Sequence, residues 1–147
     1  MRLVYQSIVD PDYGDCERAC IATLFDLELE DVPNFILFGR DWGLEYQRFL
    51  NSIGYVFQGS AGLQRHKDTI NKVGDYLNGF YESVNGYYKV SVPSKTFPGQ
   101  THAVIIDESG LVVHDPNPNE AWKGINVVET GELVVVNIIE KIGEWIW

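Results

Sequence analysis

A thiol, an imidazole and a carboxylate, distant along the chain, could together make one nucleophilic site. Cys16 opens a helix-like run, Asp15-Cys16-Glu17-Arg18-Ala19-Cys20, while His102 and Asp115 stand on two β-branched segments that read as a hairpin. Nucleophilic attack needs the thiolate, and a free Cys titrates near about 8.5, so the anion must be favoured by its surroundings. Helix-start N–H groups and an imidazolium both do this. Asp15 opposes it unless its carboxylate turns away to cap the helix. His102 would take the thiol proton, and Asp115 would hold the imidazole in the right tautomer. Acyl transfer also needs donors for a developing oxyanion. The Cys16 backbone N–H is one candidate and the Gln6 side-chain amide another; the plain alternative for Gln6 is an exposed polar residue at a strand end.

Whether His102 meets Asp115 depends on the turn between them. A two-residue turn at Glu108-Ser109 pairs the two directly, with Cβ atoms about 4.5–5.5 Å apart. A three-residue turn with Gly110 in a bulge puts His102 opposite Pro116 instead. The residue pattern leaves both registers open.

Other residues of the same types have blander readings. His114 has the opposite strand parity to Asp115, and His66 sits in the polar run Gln64-Arg65-His66-Lys67. Cys20, one helical turn beyond Cys16, suits core packing better than a redox partnership. Asn117 and Asn119 alternate with Pro116 and Pro118, which suits turn building. Two Cys and three scattered His show no zinc-ligand spacing, so neither a metal nor another cofactor is expected.

The elements that must carry these groups follow from periodicity. The first helix is expected from Asp15 as N-cap through Phe25, apolar nearly all round after Arg18 and therefore buried. Leu27 to Val32 makes a short helical turn ended by Pro33. Trp42, Tyr46, Phe49, Leu50 and Ile53 form one helical stripe, with Gly54 placed to end it. Tyr55-Val56-Phe57 begins a strand, and a weaker amphipathic helix covers residues 67–80. Beyond Tyr87 the period changes. Residues 87–92, 102–107 and 111–115 are expected strands, and Val127-Val128 with Leu133 to Ile139 a closing hairpin around Thr130-Gly131. Helices first and antiparallel strands after predict an α+β domain, with helices packed on a sheet.

Composition sets the class. At 147 residues and 45% hydrophobic, the chain suits a single domain spanning 1–147. A net charge of −10 argues against nucleic acid as a partner. The first residues lack the apolar stretch of a signal peptide, and no apolar run reaches the ~20 residues that span a bilayer. Two Cys make no disulfide scaffold, so a reduced, cytoplasmic setting is expected.

Gln6, Asp15-Cys16 with Ala19-Cys20, His102-Ala103-Val104-Ile105 and His114-Asp115-Pro116 resemble the papain-like cysteine peptidase superfamily. The branch they are most similar to is that of the double-glycine leader peptidases of bacteriocin exporters. The whole chain also resembles small uncharacterised phage and bacterial proteins of that fold. The resemblance implies Cys16 as nucleophile, His102 as base, Asp115 as orienting acid and Gln6 as oxyanion donor. Gln6 lies ten residues before Cys16, a wider spacing than is usual in that superfamily. The expected activity is hydrolysis of a peptide, isopeptide or small amide through a thioester on Cys16. Acyl transfer and transamidation use the same groups. A different class is a binding module without turnover, which sequesters a small molecule or a host protein target; Arg18, Arg40 and Lys95 could then make its pocket basic. A structural protein with a relic site is the third reading. Trp42, Trp122 and Trp145 could line a cleft, though aromatics at this frequency more often fill a core.

Overall fold

The computed structural model describes residues 1–63 and 83–142. The helix expected over 67–80, His66 and Trp145 lie outside them. Two helices, α1 (Cys16–Leu24) and α2 (Trp42–Ser52), precede or alternate with five strands: β1 (Tyr55–Gly62), β2 (Tyr87–Pro93), β3 (Thr101–Asp107), β4 (Val112–His114) and β5 (Val135–Lys141). The strands form one antiparallel sheet in the order β1-β5-β2-β3-β4. The chain is therefore α+β, with its helices against the sheet.

α1 is a buried helix because Ala19 through Leu24 leave it no polar side except the Thr23 hydroxyl. That hydroxyl donates to Ala19 O at 2.9 Å and accepts from Val4 N–H at 2.9 Å, so the N-terminal segment is fastened along the helix. Ile21, Leu24, Ala103 and Ile105 share a cluster with Phe35, Tyr46 and Leu50 of the α2 region. Fully burying each large side chain contributes about 1.5–3 kcal/mol. α2 buries Tyr46 and Leu50 as its stripe requires, and Gly54 follows it at a φ of 88°. Trp42 departs from the stripe and is 52% exposed, because it stands on the first turn where the chain enters from solvent.

The expected closing hairpin does not form. β5 pairs instead with β1 on one side and β2 on the other, placing it inside the sheet. Val127 and Val128 enter the core of the opposite sheet face from irregular backbone, beside Trp122, Val104 and Ile106. Their N–H groups find other partners: Val127 donates to Gly110 O at 2.9 Å and Val128 to the Asn126 side chain at 3.0 Å. An apolar pair preceding a turn was thus coil, because tertiary partners satisfied both its side chains and its backbone.

Candidate active site

The β3–β4 turn takes the three-residue form. Asp107 Oδ1 accepts from Ser109 N–H, the Ser109 hydroxyl and Leu111 N–H at 2.9, 2.6 and 3.1 Å, which closes the loop over Glu108 to Gly110. Gly110 sits at a φ of 93°, and a Cβ there would lie 2.7 Å from a Val128 methyl carbon, so the position needs glycine twice over. This one-residue offset alone would turn Asp115 to the wrong face. A second irregularity undoes it: Ile106 pairs with Val112 but Ile105 pairs with His114, leaving Val113 as an extra residue. Two offsets restore the parity, and Asp115 returns to the face of His102 one diagonal step away.

His102 Nε2–H donates to Asp115 Oδ1 at 2.6 Å. The direct cross-strand pairing expected from a two-residue turn is absent, yet the two side chains meet. Asp115 is held for the purpose: its Oδ1 also accepts from Asn117 N–H at 3.0 Å, and its Oδ2 from Trp122 N–H at 3.0 Å. Burial would raise this carboxyl, but the His102 bond and the two backbone donors outweigh it and hold it below the usual carboxylate range. The following prolines and asparagines build a ladder of turns, with Asn119 N–H on Asn117 Oδ1 and Ala121 N–H on Asn119 Oδ1, both near 3 Å.

With Nε2 committed to Asp115, Nδ1 is the ring nitrogen left for Cys16. Burial pulls the imidazole down, but the bond to Asp115 and the interaction with Cys16 push it up to about 9. The protonated form of His102 is thereby favoured beside Cys16. Cys16 is the first residue of α1, whose opening N–H groups have no partners inside the helix. Asp15 leaves them uncapped: its carboxylate turns away from the helix and accepts from Ser7 and Ile8.

Cys16, His102 and Gln6 line one cleft of about 120 Å³, together with Phe97, Gln100 and Asn117. Gln6 reaches it because its backbone N–H donates to Pro116 O at 2.8 Å, which ties it beside Asp115. Its Nε2 donates one hydrogen to Ile8 O at 3.0 Å, leaving the second. Asp10, Ile36, Ser94 and Thr101 are also in the wall, and none of them stood out in the sequence. Loop polar residues such as Asp10 and Ser94 carry no periodic signal, so only the folded chain could reveal them.

Other expected residues lie elsewhere. His114 is fully buried on the other face, donating Nε2–H to Val4 O at 2.7 Å, and burial keeps it below the usual value. Cys20 is fully buried and burial pushes its thiol well up. Trp122 is in the core, bonded through its indole N–H to Pro93 O at 3.0 Å, and Trp42 is on the surface. Among the described residues no Lys or Arg lines the cleft. Arg18 donates to Val32 O at 2.6 Å, and the Lys95 ammonium lies over the Trp122 ring at 4.4 Å. No group of three or more His, Cys, Asp or Glu suited to a metal is found among the described residues. Nor, among them, is any helix long and apolar enough to cross a membrane.

One charged side chain that sequence reading passed over lies directly behind the site. Lys89 is buried in β2, with its ammonium on the Glu17 carboxylate and the Asn137 carbonyl oxygen and over the Tyr46 ring. Burial works against the charge, but Glu17 prevails and holds Lys89 above its ordinary value. The available signal was parity: Tyr88, Val90 and Val92 face one core, so position 89 must face α1.

These shifts set a pH window for stability. The His102 value in the folded chain lies above that of an unfolded His, near 6.5. Its contribution is complete below about 6.5 and is lost as the pH rises through about 9. His114, held low, works in the opposite sense: below about 6.5 the unfolded chain takes up a proton that buried His114 resists, so stability falls with pH. Urea midpoints from about pH 5 to about pH 10 should therefore pass through a maximum near neutrality. His102→Gln should remove the alkaline decline; parallel curves for variant and wild type above neutrality would contradict the assignment.

Comparison of the chain with protein-family models, with curated proteins and with solved structures finds no match in any of the three. The functional reading rests on the site itself.

Proposed function

We propose that this protein is a papain-like cysteine hydrolase that cleaves a peptide or isopeptide bond through a thioester on Cys16. The observation that carries the reading is the His102–Asp115 hydrogen bond of 2.6 Å, with His102 lining the same cleft as Cys16 at a helix start. In the reaction Cys16 Sγ attacks the carbonyl carbon and forms the C–S bond. The oxyanion is met by the Cys16 N–H and the second Gln6 Nε2–H. His102 carries the thiol proton to the leaving amine as the C–N bond breaks, then takes a proton from the water that hydrolyses the thioester. Asp115 keeps Nε2–H engaged, so Nδ1 makes each transfer.

A polypeptide substrate is favoured over a small amide by apolar surface that continues from the cleft. Ile8, Val9 and Tyr13 in one segment and Ile36, Leu37 and Phe38 in another are exposed. Val9 and Ile36 line the cleft, and Asn34 bonds to Tyr13 O at 3.4 Å, so the two apolar segments adjoin. An anionic small molecule is disfavoured because the described lining residues include Asp10 and no Lys or Arg.

The test is alkylation of Cys16 by iodoacetamide across pH, read by intact mass. Cys20 is fully buried, so a single adduct is expected. Wild type should label faster than His102→Ala at and below neutral pH, because the imidazole activates the sulfur. Equal labelling rates in the two proteins across the pH range would refute the paired site.

A further inference from the structure

Asp15 has a role that its neighbour Cys16 does not explain. The carboxylate is fully buried, yet it does not cap the helix it precedes. Its Oδ2 accepts from the Ser7 hydroxyl at 2.7 Å and from Ser7 N–H at 3.3 Å, and its Oδ1 accepts from Ile8 N–H at 3.0 Å. The Asp15 backbone N–H donates to Ile8 O at 3.3 Å, and that same carbonyl oxygen accepts Gln6 Nε2–H at 3.0 Å. Arg18 Nη1 lies 3.7 Å from Oδ2. The segment between Ser7 and Asp15 is thus drawn shut at its base, with Gly14 N–H bonded to Asp10 O at 3.0 Å. A Cβ at Gly14 would meet that oxygen at 2.7 Å, so the closure has no slack.

We infer that Asp15 is a positioning residue: it clamps Ser7-Ile8 and thereby holds the Gln6 amide against the carbonyl that Cys16 attacks. This rests on the cysteine-hydrolase reading. The nine residues between Gln6 and Cys16 form a loop too long to fix the distance by chain geometry, and a buried carboxylate bridges it. Because one carbonyl oxygen binds both the residue before the nucleophile and the Gln6 amide, displacing Ile8 moves the oxyanion donor relative to the sulfur.

Two probes separate oxyanion positioning from general loosening. Acetylation by 4-nitrophenyl acetate forms the Cys16 C–S bond and expels 4-nitrophenolate with the electron pair of the broken C–O bond. It passes through a tetrahedral oxyanion, and the thiol proton ends in solvent. Alkylation by iodoacetamide displaces iodide in one step and needs no oxyanion donor. Ser7→Ala, a mild change, should lower acetylation about three- to tenfold, and Asp15→Asn by more, with the alkylation rate at neutral pH not falling in either. In a Gln6→Ala background neither change should lower acetylation further, since the donor they position is gone. Parallel loss in both reactions, or losses that multiply with that of Gln6→Ala, would overturn the positioning role. Acetylation no faster in wild type than in His102→Ala would remove the hydrolase reading and the role with it.

Discussion

Asp115→Ala is expected to lower acetylation of Cys16 about 10²–10³-fold and to destabilise the protein at the same time. The two effects share one cause. Asp115 accepts three hydrogen bonds at 2.6, 3.0 and 3.0 Å, from His102, Asn117 and Trp122, and it is 1% exposed. Its removal frees the imidazole to rotate, so Nδ1 no longer stays on the thiol. It also strands the Asn117 and Trp122 N–H groups, and each unsatisfied buried donor costs about 1–3 kcal/mol. Asp115→Asn separates the effects. Its oxygen can still accept from His102 and Asn117, but its amino group then opposes Trp122 N–H and the negative charge is gone. Acetylation should survive better than in the alanine variant, and the His102 titration, read by NMR, should move down from about 9 toward the ordinary range. A His102 that still titrates near 9 in Asp115→Ala would show that Asp115 is not what raises it.

Glu17→Ala should destabilise the protein more than Lys89→Met, although the two residues form one ion pair. The asymmetry comes from exposure. The Lys89 side chain is 1% exposed and that of Glu17 is 35% exposed. Removing Lys89 leaves a carboxylate that can turn to water, while methionine fills most of the vacated volume. Removing Glu17 leaves an ammonium buried in the sheet, with the Asn137 side-chain oxygen and the Tyr46 ring to offset it among the described residues. Breaking a buried pair in that direction costs about 3–5 kcal/mol. The double variant Glu17→Ala with Lys89→Met should recover most of the loss, because no uncompensated charge remains. Urea midpoints of the four proteins decide it. Equal losses in the two single variants would mean that Glu17 is as buried as its partner, and losses that add would mean that the pair is not coupled.

Both expectations involve groups tied to α1, and α1 is where sequence and structure agree most closely. Six consecutive small or apolar residues after Arg18, with a thiol at the first position, define a buried helix in any α+β arrangement. Helical periodicity is local, so it survives folding. The stripe of α2 is legible for the same reason at Tyr46 and Leu50, and fails at Trp42, where the helix end faces solvent.

Residue types and order set out the candidate groups: a thiol at a helix start, an imidazole on one strand, a carboxylate just past the end of the next, and an amide upstream. The tertiary structure decided whether they meet. Parity for Asp115 depends on the number of extra residues in a hairpin: one comes from the turn that Asp107 and Gly110 fix, and the second is Val113 in the irregular β3–β4 pairing. The place of β5 inside the sheet, the burial of Lys89 behind Cys16 and the clamp of Asp15 on Ile8 are long-range as well. Each pairs residues whose separation in the chain says nothing about their distance in space, because the free energy that joins them comes from packing and hydrogen bonding in the assembled core.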